Sequence, residues 1–91
     1  MSSKLHLVIY GIVQGVGFRY ATYRKAVQLG LRGWVRNKKD GTVEAVFDGP
    51  EEKVQEMLLW CHKGPLGAKV SHVDVSWEET SENYTTFEIK Y

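Results

Sequence analysis

Three glycines and an arginine crowd one stretch of the chain, Gly11-Ile12-Val13-Gln14-Gly15-Val16-Gly17-Phe18-Arg19. Glycine admits positive φ and lets a ligand approach the main chain closely. A glycine-rich turn that opens a helix leaves several backbone N–H groups unpartnered and aimed at one place. Together with the positive end of the helix dipole, those donors make an anion site. Arg19 sharpens this reading, because a cation in the first helical turn faces the positive dipole end and gains from an anion held between it and the amides. Its planar fork fits two oxygens of one phosphate. The competing reading is a plain strand-to-helix turn with a solvated arginine. Tyr20 stands where a dinucleotide-binding turn has its third glycine, and no Gly-Lys-Ser/Thr follows. The ligand this stretch predicts is a small phosphate group rather than a nucleotide.

The elements around the stretch are set by its neighbours. Residues 4–10 alternate, with Leu5, Leu7 and Ile9 on one side and His6, Val8 and Tyr10 on the other. That period predicts a strand, and apolar residues on both faces place it centrally in its sheet. A helix is predicted over residues 18–29, with Thr22, Tyr23, Ala26 and Val27 turned inward and Gly30 ending it. Residues 31–38 and 42–47 form a hairpin of strands around an Asp40-Gly41 turn. Asp48-Gly49-Pro50-Glu51-Glu52 reads as the start of a second helix, with Val54, Met57, Leu58 and Cys61 as its buried stripe and Lys63-Gly64-Pro65 as its stop. Residues 70–77 are a fourth strand, residues 78–83 an acidic surface loop, and residues 84–91 an edge strand.

Two helices cannot cover both faces of such a sheet. The order therefore predicts an α+β fold, the ferredoxin-like split βαβ sandwich: βαββαβ plus a C-terminal edge strand, an antiparallel sheet with two helices on one face. The first two strands then run parallel with the third between them. Their C-terminal ends share one edge, which brings Asn37 towards the glycine loop. Asn37 alone is a turn residue. Beside a phosphate cradle, its amide could orient a water without titrating. No Asp, Glu, His or Cys is placed to act as base or nucleophile, and Asp40 is explained by its turn. His6, His62, His72 and Cys61 show no metal-ligand spacing. Such a site works by charge stabilisation and positioning, which suffices for phosphoryl transfer to water when the leaving group is good. A carboxylate is such a group, so an acyl phosphate is a natural substrate.

Composition narrows the classes further. The 91 residues make one small domain spanning 1–91, and 12 Lys and Arg against 11 Asp and Glu leave a near-neutral charge that argues against a broad nucleic-acid surface. A single cysteine fits a reducing compartment. No apolar run approaches membrane-spanning length, and the expected location is the cytoplasm. Asn83-Tyr84-Thr85 matches a glycosylation sequon by chance in such a chain.

Along nearly its whole length the chain resembles a stand-alone acylphosphatase. Tyr10-Gly11-Ile12-Val13-Gln14-Gly15-Val16-Gly17-Phe18-Arg19 and Gly33-Trp34-Val35-Arg36-Asn37 carry the match, supported by Asp40-Gly41-Thr42-Val43-Glu44 and Gly49-Pro50. The resemblance implies hydrolysis of acyl phosphates to a carboxylate and orthophosphate without a cofactor or metal. By position, Arg19 would bind the phosphate, and the amides of Gly15, Val16, Gly17, Phe18 and Arg19 would form its cradle. Asn37 would orient the attacking water. In that family the substrate itself helps take the water proton, which agrees with the want of a base. Ile12 departs from the pattern, since many relatives carry a basic residue there. The implied partners are a small acyl phosphate and orthophosphate as product and competitive inhibitor. The chain is expected to be a monomer, because Glu88 and Lys90 on the last strand work against edge pairing. Two other readings use the same fold: a non-catalytic phosphate-binding or regulatory module, and an RNA-binding module. The second lacks the basic-glycine-aromatic signature on the third strand that base stacking needs.

Overall fold

The computed structural model describes residues 2–79 and 84–91. In chain order the elements are β1 (Ser2–Ile12), α1 (Phe18–Gln28), β2 (Arg32–Asn37), β3 (Val43–Pro50), α2 (Glu51–Lys63), β4 (Lys69–Glu78) and β5 (Phe87–Lys90). They build one sheet in the order β4-β1-β3-β2-β5. β3 pairs antiparallel with both β1 and β2, so β1 and β2 run parallel on either side of it. The expected split βαβ arrangement is present, and β1 is internal.

One pairing corrects the antiparallel expectation. β5 runs parallel to β2, which makes the sheet mixed. β4 ends beside Lys4, at the end of the sheet where β1 begins. A chain re-entering from that end starts beside Gly33 and can only run along with β2. β5 is also shorter than expected, since it begins at Phe87 rather than at residue 84. Of the acidic loop expected over residues 78–83, Glu78 closes β4, and residues 80–83 lie outside those described. Asn83 of the sequon falls there too.

A second correction concerns residues 48–50. Asp48 pairs with Lys4 and Arg32, Gly49 with Ser3 and Pro50 with Ser2, so β3 continues through a segment that reads as a helix start. Pro50 is extended (φ −56°, ψ 135°) and caps α2 from outside. A proline at a strand's last position loses no needed donor, and Glu51 and Glu52 still meet the positive end of the helix dipole.

The core lies between the sheet and both helices. Leu5, Leu7 and Ile9 of β1, Val35 of β2, Val43, Ala45 and Phe47 of β3, and Phe87 of β5 form its sheet side. Helix α1 adds Phe18, Thr22 and Ala26, and α2 adds Val54, Met57 and Cys61. Each large apolar side chain removed from water contributes roughly 1.5–3 kcal/mol before ordering costs. Val27, expected inward, is exposed. Tyr23 shares its lateral position one turn earlier and is half-buried because its ring reaches Phe87, with centroids 6.3 Å apart; a valine is too short to do so. Helix α1 stops in a Schellman motif, with Leu31 N–H donating to the Ala26 carbonyl and Gly30 N–H to the Val27 carbonyl. Among the described residues no helix is long and apolar enough to cross a membrane.

Candidate active site

The segment between β1 and α1 departs from regular structure just after a bulge at Tyr10 and Gly11 in the β1–β4 pair. A bulge twists its strand and re-aims the residues beyond it. Gly15 and Gly17 have φ of 77° and 75°, and nothing lies within 4 Å of where a Cβ would stand on either. Backbone conformation, not crowding, demands these glycines. Gly17 is the N-cap of α1 and offers no side-chain cap, and the first turn holds no acid. The first helical hydrogen bond runs from Ala21 N–H to the Gly17 carbonyl at 2.9 Å. The amides of Phe18, Arg19 and Tyr20 therefore precede the ladder. Phe18 anchors this turn: its ring is fully buried, 5.6 Å from Trp60 and against Gly64.

These groups border a cavity of about 260 Å³ whose lining includes Gly15, Gly17, Phe18, Arg19 and Asn37. Its size falls below that of a drug-sized ligand site and suits a small anion. Four of the five expected cradle residues thus line it. The fifth, Val16, packs its side chain on the core instead. Ile12 is exposed and does not line it.

Arg19 is half-buried, and no carboxylate among the described residues pairs with it. Its guanidinium carbon stands 4.8 Å from the centre of the Tyr91 ring, a contact that holds the fork without neutralising it. Asn37, at the end of β2, has a buried Oδ1 with no hydrogen-bond partner. A buried polar atom left unpaired costs stability, and the residue that carries it lines the cavity. Next to it, the Asp40 carboxylate accepts from both the hydroxyl and the backbone N–H of Thr42, at 2.6 and 3.0 Å. Those bonds hold the Asp40 carboxyl below its usual range. It serves the turn, as its spacing predicts. His6 meets Glu44 and His72 meets Asp74, both away from the cavity lining.

Tyr91, Ile89 and Gln14 also border the cavity, and sequence reasoning gave them no part in it. Tyr91 and Ile89 arrive with β5 alongside β2, a pairing no local pattern reveals. Gln14 donates from Nε2 to the carbonyls of Lys38 and Thr42, across the β2–β3 turn. A shallower groove of about 530 Å³ shares Asn37 and Tyr91 with the cavity and is lined further by Arg36, Lys38, Lys39 and Asp40. Chemically, the cavity offers oriented donors and one fixed cation for an anion, with a neutral amide beside it.

Comparison with known proteins gives these features a context. The acylphosphatase family model matches residues 5–89. The chain is 54% identical over 87 residues to an acylphosphatase of Trichormus variabilis, covering 96% of this chain and 85% of that one. It is 55% identical over 76 residues to an acylphosphatase of Thermococcus kodakarensis, covering 84% of each. Its fold superposes on the crystal structure of acylphosphatase from Bacillus subtilis with a TM-score of 0.94 at 35% identity, covering 100% of both chains.

Proposed function

The chain belongs to the acylphosphatase family and is a hydrolase of small acyl phosphates, and from that premise we propose how its own residues carry the reaction. The phosphoryl group sits in the cavity, held by the amides that precede the α1 ladder and by the Arg19 fork. Asn37 Oδ1 accepts a hydrogen bond from the attacking water. The water oxygen bonds to phosphorus as the bond from phosphorus to the acyl oxygen breaks. The carboxylate leaves with that electron pair. One water proton moves to a phosphoryl oxygen, so the products are a carboxylate and dihydrogen phosphate. No protein base takes part, because the leaving carboxylate needs no protonation and the phosphoryl oxygens can take the proton. The acyl part extends into the groove over Arg36, Lys38 and Lys39, which shares Asn37 and Tyr91 with the cavity.

The unpartnered Oδ1 of Asn37, a residue that lines the same cavity as Arg19, carries this reading. An acceptor kept dry and unpaired at a structural cost is suited to a transient donor such as a water. Orthophosphate, as product, competes for the cradle. Residues 1–91 act as one domain and as a monomer, with Glu88 and Lys90 on the β5 edge discouraging further strand pairing. No nucleic acid takes part, and the reaction belongs in the cytoplasm, where a lone thiol such as Cys61 stays reduced.

The test is hydrolysis of benzoyl phosphate with chelator and no added metal, with p-nitrophenyl phosphate as control. Turnover of the acyl phosphate alone, lost in Asn37→Ala, is the expected outcome. A folded wild type that binds orthophosphate but turns over neither substrate would make the cavity a binding site and overturn the mechanism.

A further inference from the structure

We propose that Gln14 is a positioning residue for this reaction, setting the distance between the phosphate cradle and Asn37. The inference rests on the reading of Asn37 as the water-orienting group. Gln14 stands one residue before Gly15. Its Nε2 donates to the Lys38 carbonyl at 2.7 Å and to the Thr42 carbonyl at 2.8 Å. Both amide hydrogens are thereby used. The two acceptors close the hairpin, with Lys38 N–H donating to the Thr42 carbonyl at 2.9 Å and Gly41 N–H to the Lys38 carbonyl at 3.2 Å. Gln14 thus grips the main chain at the residue that follows Asn37.

Two further observations make that grip matter for chemistry. Asn37 Oδ1 has no protein partner, so no hydrogen bond of that oxygen aims the side chain, and its position follows the main chain that carries it. Sheet pairing ties β1 to β3 and β3 to β2 as far as Ile9, Val43 and Asn37. Across residues 13–17, Gln14 supplies the hydrogen bonds seen among the described residues between loop and hairpin. The cradle and the water-orienting amide belong to different elements, and this side chain spans them. A misplacement of about 1 Å between reacting groups costs on the order of 100-fold in rate.

The experiment compares Gln14→Met and Gln14→Glu with wild type and Asn37→Ala, reading kcat and orthophosphate inhibition for each folded variant. Gln14→Met keeps the volume and removes both donors. Its kcat should fall about 10- to 100-fold while the orthophosphate inhibition constant moves by less than about threefold. Gln14→Glu sets a carboxylate against two carbonyl oxygens, and on protonation regains one donor. Its kcat relative to wild type should be lowest near neutral pH and recover as pH falls into the carboxyl range. The titratable and charged groups that share the cavity lining with Gln14 are Arg19 and Tyr20 on α1 and Tyr91 after β5, and the hairpin it bonds carries Lys38 and Asp40, the latter held below that range by Thr42.

A wild-type kcat in Gln14→Met would overturn the inference, as would loss of phosphate binding in step with kcat. Absence of acid recovery in Gln14→Glu would do the same. If Asn37→Ala itself kept its turnover, the reading of Asn37 would fail first. If Asn37→Ala were inactive and Gln14→Met were not, the inference about Gln14 alone would fall.

Discussion

Arg19 and Asn37 line one cavity from two elements, the first turn of α1 and the last residue of β2. Their environments differ. Arg19 carries a charge that no described carboxylate neutralises, whereas Asn37 presents an acceptor with no partner. Arg19→Ala should lose orthophosphate affinity and turnover together, with kcat falling about 10²–10³-fold as for removal of a transition-state donor. Asn37→Ala should lose turnover and keep orthophosphate inhibition. Its thermal midpoint should hold or rise, because the change removes a buried unsatisfied oxygen. Orthophosphate inhibition that survived Arg19→Ala, or vanished with Asn37→Ala, would reverse these assignments.

Gly17 gives a separate handle on the cradle. Its φ of 75° sits where a side chain is strained, although a Cβ would meet open space. Gly17→Ala should cost about 1–2 kcal/mol of stability through the left-handed conformation. It should also weaken orthophosphate inhibition as the amides swing. Unfolding in urea and inhibition kinetics on one preparation check both; a variant that is less stable but binds phosphate normally would separate the glycine from the cradle.

Glu44 makes stability depend on pH. Burial pushes its carboxyl up, but hydrogen bonds from His6 and Arg36 outweigh this and hold it below the usual range. Arg36 Nε donates to Oε1 at 2.7 Å, and His6 Nε2 lies 2.7 Å from Oε2. A carboxyl lowered on folding stabilises above its unfolded pKa, and that contribution disappears as pH falls through the folded value. Glu44→Gln should therefore cost about 1 kcal/mol near neutrality, and the gap from wild type should close below about pH 4. A gap in melting temperature that stayed constant across that range would show that the carboxylate's charge does not matter.

Cys61 should behave as a reporter of opening. It is fully buried on α2, and burial pushes its thiol well up. A thiolate is the reactive form, so an aromatic disulfide reagent should leave the native protein unlabelled and react once denaturant unfolds it. Rapid labelling without denaturant would mean that α2 lifts from the sheet locally.

Much of this arrangement is legible in the chain because period and punctuation agree. The alternation around Leu5, Leu7 and Ile9 and the stripe of Val54, Met57 and Cys61 mark buried faces without help from distant residues. Asp48-Gly49-Pro50 misleads because its residue types favour turns, whereas pairing with β1 along the whole segment, and with β2 at Asp48, keeps it extended. Arg19 and Asn37 can be found because they lie in motifs with a chemical meaning. Gln14 cannot, since its partners are backbone carbonyls beyond α1 and β2, and a carbonyl leaves no mark on residue type. Tyr91 is hidden for a related reason: only the parallel pairing of β5 brings it beside Arg19.

The missing cap at Gly17 has a consequence for the lifetime of the folded chain. A helix start without a side-chain acceptor is prone to fray, and on the proposed mechanism an anion bound in the cavity would supply what Gly17 lacks. Occupancy and folding are then thermodynamically linked: orthophosphate at 100 times its dissociation constant adds about 2.7 kcal/mol of stability. Amides of the first turn of α1 should exchange hydrogen fast in the empty protein and slowly in phosphate. If orthophosphate binds there as proposed, the product of the reaction would double as a protectant, and proteolysis of the protein should slow as phosphate is added.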